Sequence, residues 1–393
     1  MPGDSALEVG GRIAAIRQSK RMSQPVLARC AYLSLATVRA IEQGRRNPSD
    51  SALESIAAAL GVDASRLASG YTGTEHRVHL ALPRMSASLA GFDFPQGPPA
   101  RDAAQLRAAV DDALKWRLAA QYGKLALAAP TLLTDTIRHL HTATARDRPA
   151  AARFLATVAR AADAVAYKHG ARDLSARLID LMRWACEHAD DPLLTAHTAY
   201  VRTEVFFAAR EHRAGLQALE AALDEAPPAY GTATAAARGA LHMRAAVVAA
   251  RIPDHHAADT HLREARRLSE TVGEGIYGGT AFGPSSVRIH ELSLTVAMGQ
   301  AHVSRALKIA ANWSPPDDLP AERRSGFYIE LSRAQLWAGR PQDAFESLKA
   351  ARRVAPQHTR EHPWARENAA TLRRLRRSGA EELTAFAEWV GAL

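Results

Sequence analysis

The stretch that decides the N-terminal fold is Ser23-Gln24-Pro25-Val26-Leu27-Ala28-Arg29-Cys30-Ala31-Tyr32-Leu33-Ser34-Leu35-Ala36-Thr37-Val38-Arg39-Ala40-Ile41-Glu42-Gln43-Gly44-Arg45-Arg46-Asn47-Pro48. Ser23 and Ser34 are good N-cap residues, and each opens a run with apolar side chains at helical spacing, Leu27 and Ala28 in the first, Val38 and Ile41 in the second. Gln24 and Pro25 fall in a first helical turn, where proline loses no hydrogen bond. Gly44 supplies the left-handed backbone that ends the second run, and Arg45, Arg46 and Asn47 form a basic loop beyond it. Working outward, Ile13 and Ile16 stripe an earlier helix whose other face carries Arg12, Arg17, Lys20 and Arg21. Asp50 is expected to cap a fourth helix bearing Leu53, Ile56, Ala57 and Leu60, ended by Gly61, with a closing turn from Val62 to Leu67. Residues 8–69 therefore read as one small helical domain.

The order and spacing of this run, from Ser23-Gln24 through Ile41-Glu42-Gln43-Gly44-Arg45-Arg46-Asn47-Pro48 to Leu60-Gly61-Val62, resemble the phage Cro/repressor-like (XRE) helix-turn-helix family. The resemblance implies that Ser23 to Ala31 is a positioning helix and Ser34 to Gln43 a recognition helix that enters the major groove of double-stranded DNA. It further implies that Gln24 bonds a phosphate, that Thr37 lies near the backbone, that Leu35, Ala36, Arg39 and Ala40 face bases, and that Ser34 belongs with them to the DNA-binding set. Arg45, Arg46 and Asn47 would take phosphates beyond the helix. Two positions depart from the family pattern. Tyr32 stands where the turn usually has glycine, and Val26 replaces the acid that would complete a capping box with Ser23. Of the base-facing residues only Arg39 can make a bidentate contact to guanine, worth on the order of 1 to 3 kcal/mol of discrimination. Modest base readout, reinforced by DNA shape and phosphate contacts, is expected.

The whole chain has 393 residues, 50 Lys+Arg against 41 Asp+Glu, and a net charge of +9, with 47% hydrophobic and 23% charged residues. That is globular composition at a length calling for more than one domain. Only Cys30 and Cys186 occur, which excludes a disulfide framework and a four-cysteine zinc site. No apolar run reaches the roughly 18 to 20 residues that span a bilayer, and the first ten residues lack a secretory pattern; a cytoplasmic protein without a membrane partner is expected. Gly, Pro and Ser gather between 70 and 101, among them Gly73, Pro83, Ser86, Gly91, Pro95 and Pro98, and predict a linker with one short extended piece at Val78, Leu80 and Leu82. Ser69 and Gly70 lead into it. Residues 102–393 are Ala-, Leu- and Arg-rich at helical spacing with no convincing strand.

Helical repeats organise that third zone. Tyr328, Leu331, Ser332, Gln335, Ala344, Leu348, Ala351 and Pro356 follow the spacing of a tetratricopeptide repeat, in which small residues let paired helices approach closely and proline ends the pair. Partial copies appear at Gly215, Leu219, Ala222 and Pro227, at Ala258, Leu262 and Ala265, and at Ala306 and Ala310. The expected fold is all-α: a small helix-turn-helix domain joined to a tetratricopeptide-like solenoid. A generic helical bundle is the plainer alternative.

Regulators that join such a head to such a body are known, and an actinobacterial group with the same Ala/Arg bias and a Phe-Gly-Pro segment, here Phe282-Gly283-Pro284, is the one this chain resembles more closely. The resemblance implies a homodimer formed through the repeat domain and a pocket on its concave face; a symmetric dimer would read a palindromic operator, and a small-molecule or peptide effector is expected. The glycine-rich break from Gly273 to Pro284 is either a pocket lid or a plain connection. Tyr200, Arg202, Phe206, His242, Tyr277, Phe282, Arg288 and His290 place aromatic or polar groups near it and are the candidate effector residues. Three asparagines in the chain, Asn47, Asn312 and Asn368, do not make the amide clamp that an extended peptide backbone favours. No cofactor, metal or enzymatic motif emerges. Gly278 to Gly283 lacks the Lys-Ser/Thr of a phosphate loop, His290-Glu291 lacks the second zincin histidine, and His261 points away from His255 and His256. Arg373, Arg374, Arg376 and Arg377 form a basic run, most simply a solvated face. An adaptor whose solenoid docks a protein partner, with DNA contact secondary, is the alternative function.

Overall fold

The computed structural model describes residues 6–68, 73–252, 254–375 and 381–392. Ser69, Gly70, Arg376 and Arg377 lie outside the described residues. Helices α1 (Ala6–Ser19), α2 (Gln24–Cys30), α3 (Leu35–Glu42) and α4 (Asp50–Leu60) form the head. Ser34 Oγ accepts from the Thr37 amide at 3.0 Å, and Ser23 Oγ from the Val26 amide at a long 3.4 Å. The cap of α4 is Ser49 rather than Asp50, accepting from the Ala52 amide at 3.2 Å. Asp50 is drawn instead into an ion pair with Arg77 at 2.7 Å, which ties the head to the next helix. Ile13, Leu27, Val38, Ile41, Ile56 and Leu60 are buried in the head's own core, each contributing roughly 1.5 to 3 kcal/mol of apolar burial.

The expected extended piece at Val78, Leu80 and Leu82 is helical instead: α5 (Thr74–Ala90) runs through it with Pro83 inside. The buried stripe is Val78, Ala81 and Met85, at helical spacing, and Leu80 is left 54% exposed. Apolar packing outweighs the lost backbone bond at Pro83. Because α5 packs on α7 and shares the body's core, the irregular stretch shrinks to 91–102.

The body continues with α6 (Ala103–Leu118), α7 (Tyr122–Thr142), α8 (Arg148–Lys168), α9 (Arg172–Ala189), α10 (Pro192–Ala209), α11 (His212–Glu225), α12 (Thr232–Ala249) and α13 (His255–Ser269). After a hairpin come α14 (Pro284–Ala297), α15 (Val303–Ala310), α16 (Ala321–Trp337), α17 (Pro341–Val354), α18 (Pro356–Glu361), α19 (Pro363–Leu375) and α20 (Glu381–Val390). Sequential helices pack as pairs, α8 on α9, α12 on α13 and α16 on α17. The small repeat positions sit where close approach demands them. Ser332, Ala344, Leu348 and Ala351 are buried, and a Cβ on Gly215 would lie 3.0 Å from Phe206. Pro356 does more than stop α17: it is the first residue of α18.

Among the described residues the body departs from all-helix at one hairpin. β1 (Gly275–Tyr277) pairs antiparallel with β2 (Thr280–Phe282), in the register Gly275 to Phe282, Ile276 to Ala281 and Tyr277 to Thr280. The two-residue turn needs positive φ at both positions, and Gly278 (φ 53°) and Gly279 (φ 75°) supply it. Strands of three residues are too short to show alternation, so the sequence presents only its glycines.

The body turns back on itself. Lys168, ending α8, pairs with Glu322 of α16 at 2.5 Å. Gln357 of α18 donates to Thr74 of α5 at 3.0 Å and accepts from the Gly123 amide of α7 at 3.2 Å. The late helices thus close against the early ones around a central cavity. Among the described residues no helix is long and apolar enough to cross a membrane.

Candidate nucleic-acid interface and central cavity

In the head, α3 is locked at its C-terminal end. Arg17 of α1 donates twice to Glu42, at 2.6 and 2.9 Å, and Gln24 of α2 donates to the same carboxylate at 2.7 Å. Burial would raise the Glu42 pKa, but the hydrogen bonds from Arg17 and Gln24 hold it below the usual carboxylate range. One hydrogen of the Gln24 amide stays available for a phosphate. The opposite face is open: Ser34, Ala36, Arg39, Arg45, Arg46 and Asn47 are exposed, and Thr37 and Ala40 partly so. Leu35 is half-buried against the head's core, so it offers only an edge to a base. Tyr32 keeps the turn in the left-handed conformation, φ 57°, that glycine usually takes.

The cavity, about 240 Å³, is lined by residues from α6, α8, α10, α12, α14, α16 and α18 together with the hairpin turn. It is densely charged. Arg117 donates to the Gly279 carbonyl at 2.5 Å, and Arg160 to the Gly278 carbonyl at 2.9 Å and Thr280 Oγ1 at 2.7 Å. These bonds fasten the hairpin turn across the cavity. Gly278 is required there twice over, by its φ and because a Cβ would lie 2.1 Å from the His197 ring. His290 Nδ1 donates to the Ser286 carbonyl at 2.9 Å, which leaves Nε2 to accept from Arg323 at 2.7 Å. Arg323 also donates to Tyr200 Oη at 2.7 Å. The Arg244 guanidinium lies 4.2 Å from the centroid of the Tyr200 ring.

Burial and this field reorder the titrations. Burial pushes Asp163 well above its usual range; it holds a proton toward Glu204, itself raised by burial, while accepting from Ser175 at 2.6 Å. Glu330 is pushed by burial up to about 7. Burial opposes ionisation of Glu322 as well, but Lys168, His358 and Arg117 keep its carboxyl ionised. Burial, and then Lys168, bring His358 down to about 3, and burial with Arg323 holds His290 neutral. Tyr200 is lowered although burial alone would raise it, because Arg244, Arg323 and Arg160 surround it.

Of the eight effector candidates, Tyr200 and His290 line this cavity, and the other six lie elsewhere. Phe282 is fully buried against Gly239, and Tyr277 donates to the Gly273 carbonyl. Arg288 donates to the Ile309 carbonyl, Arg202 lies over Phe206, and His242 meets His261 at 2.9 Å. The cavity's principal charges, Arg117, Arg160, Arg244 and Arg323, were not singled out by sequence, since arginine on an amphipathic helix reads as a solvated face. Of the asparagines, Asn368 donates its amide to the Ile329 carbonyl, and Asn312 sits in a loop at φ 54°.

Residues 8–69 match the family model of the helix-turn-helix domain. Over 61 residues, 16% of this chain, the sequence is 44% identical to an immunity repressor protein of Bacillus phage phi105, and the match spans 42% of that relative's length. Among solved structures the chain is similar to PlcR of Bacillus thuringiensis, in complex with the peptide PapR7 and DNA, at 11% identity over 67% of this chain and 95% of that one, with a TM-score of 0.26. It is also similar to the apo form of the competence regulator ComR from Streptococcus vestibularis, at 11% identity over 99% of each chain, with a TM-score of 0.28. The N-terminal unit of this chain is a helix-turn-helix domain.

Proposed function

We propose that the protein is a sequence-specific DNA-binding transcriptional regulator of the cytoplasm, whose helical body dimerises and senses an effector. The observation that carries this is the sidedness of α3. Its inner face is packed and its end locked by Arg17 and Gln24, while Arg39, Arg45, Arg46 and Asn47 stand exposed along one edge. That arrangement presents one cationic edge for a groove and its flanking phosphates. A homodimer would set two heads on palindromic half-sites about 34 Å apart, or a multiple of it. Gel shifts on the protein's own promoter test the reading. Arg39→Ala should relax preference among half-site variants while leaving non-specific affinity near wild type; equal loss on all sequences would assign Arg39 to the backbone instead.

A further inference from the structure

Four guanidiniums, those of Arg117, Arg160, Arg244 and Arg323, line the central cavity. Among the described residues none has a carboxylate within ion-pair distance. Arg117 and Arg160 bond carbonyls and a hydroxyl, and Arg323 an imidazole and a phenol, all of them neutral acceptors. Among the described residues Arg244 has no hydrogen-bond partner. Its guanidinium rests on the rings of Tyr200 and Phe207, and its Nε is buried without a partner. Lys168 is different, since Glu322 neutralises it. Guanidiniums drawn partly out of water, as these half-buried side chains are, ordinarily find a carboxylate partner. Of the cavity's acids, Glu322 faces Lys168, Asp163 accepts from Ser175, and Glu204 and Glu330 stand beyond ion-pair distance of all four arginines.

We infer that the central cavity binds a compact anion, a small molecule bearing carboxylate or phosphate groups, gripped by Arg244 and Arg323 beneath the hairpin turn that Arg117 and Arg160 hold in place. The cavity volume, about 240 Å³, lies just below the roughly 300 to 1,000 Å³ of ordinary ligand pockets and suits a compact small molecule rather than a length of extended peptide. Planar guanidinium forks match carboxylate and phosphate oxygens two at a time. This deepens the effector half of the proposed function and rests on it, but it is independent of the DNA-binding half.

The test is titration of the full chain, without DNA, by calorimetry and thermal shift at constant ionic strength. Inorganic phosphate and citrate serve as separate probes, so that phosphate and carboxylate recognition are told apart. Saturable binding at one site per chain by at least one of them is expected. Arg244→Met should weaken it about tenfold or more, the scale of a lost charge-assisted hydrogen bond. Glu330→Gln, which removes an ionisable acid from the cavity wall without changing shape, should tighten it at pH 8, above the value of about 7 at which Glu330 ionises. Binding of neither probe beyond a sodium chloride control overturns the inference, as does wild-type affinity in either variant. DNA binding measured on the same proteins shows separately whether the head's role stands.

Discussion

The guanidinium of Arg352 on α17 lies 4.1 Å from the centroid of the Tyr32 ring, in the turn of the helix-turn-helix, and 3.9 Å from that of Trp389 on α20. Tyr32 also meets Phe386 edge-on at 6.5 Å. A left-handed non-glycine residue costs roughly 1 to 2 kcal/mol, and a desolvated cation–π contact returns about 2. The tyrosine that departs from the family's glycine thus fastens the head to the body's C-terminal helices. Tyr32→Gly and Arg352→Ala, with the double variant, should show a coupling energy of about 1 to 2 kcal/mol in denaturant unfolding. Additive effects would mean that the contact carries no stability.

Glu42 holds Arg17 and Gln24 at once, and the Arg17 and Glu42 side chains are only 10% and 4% exposed. Glu42→Ala leaves a buried guanidinium without its partner and should cost about 3 to 5 kcal/mol, seen as early loss of the head in thermal unfolding. Because the Glu42 pKa is lowered on folding, its contribution is complete above the ordinary carboxylate range and is lost as pH falls from that range through the lower folded value.

Glu330 has the opposite sign. Held at about 7 by burial, against the Ser293 hydroxyl and the nearby Arg251 and Arg333, it binds a proton in the folded state that the unfolded chain has already released. Its contribution to stability therefore falls as pH rises from the free-glutamate range through 7. The stability of Glu330→Gln relative to wild type should grow by about 2 kcal/mol between pH 5 and pH 8, measured by paired urea melts. A constant difference would show that Glu330 titrates as a free carboxyl.

At the hairpin turn, Gly278→Ala places a methyl against the His197 ring in a left-handed backbone. Displacement of the turn should raise amide hydrogen exchange across 275–282, with little change in the head. Unchanged exchange would mean that the methyl is accommodated without displacing the turn.

The head was legible because its information is local. Caps at Ser23 and Ser34, the stripe at Val38 and Ile41, and Gly44 at the end all lie within a turn or two of what they control. The first helix of the body was not, because Val78, Leu80 and Leu82 mimic a strand and Pro83 argues against a helix, while what decides is burial of Ala81 and Met85 against α7, a tertiary fact. The cavity was hidden for a related reason. Its charges come from helices scattered between Arg117 and Arg323, each looking like an ordinary wet face until the body closes. Tyr200 and His290 were noticeable only because a tyrosine and a histidine stand out among Ala and Leu.

Whether the exposed edge of α3 and its loop lie on DNA is read from the salt dependence of operator binding in fluorescence anisotropy. For Arg45→Ala/Arg46→Ala the slope of log affinity against log salt should be shallower than wild type by about 2, one phosphate for each arginine removed. A slope and affinity indistinguishable from wild type would contradict that placement.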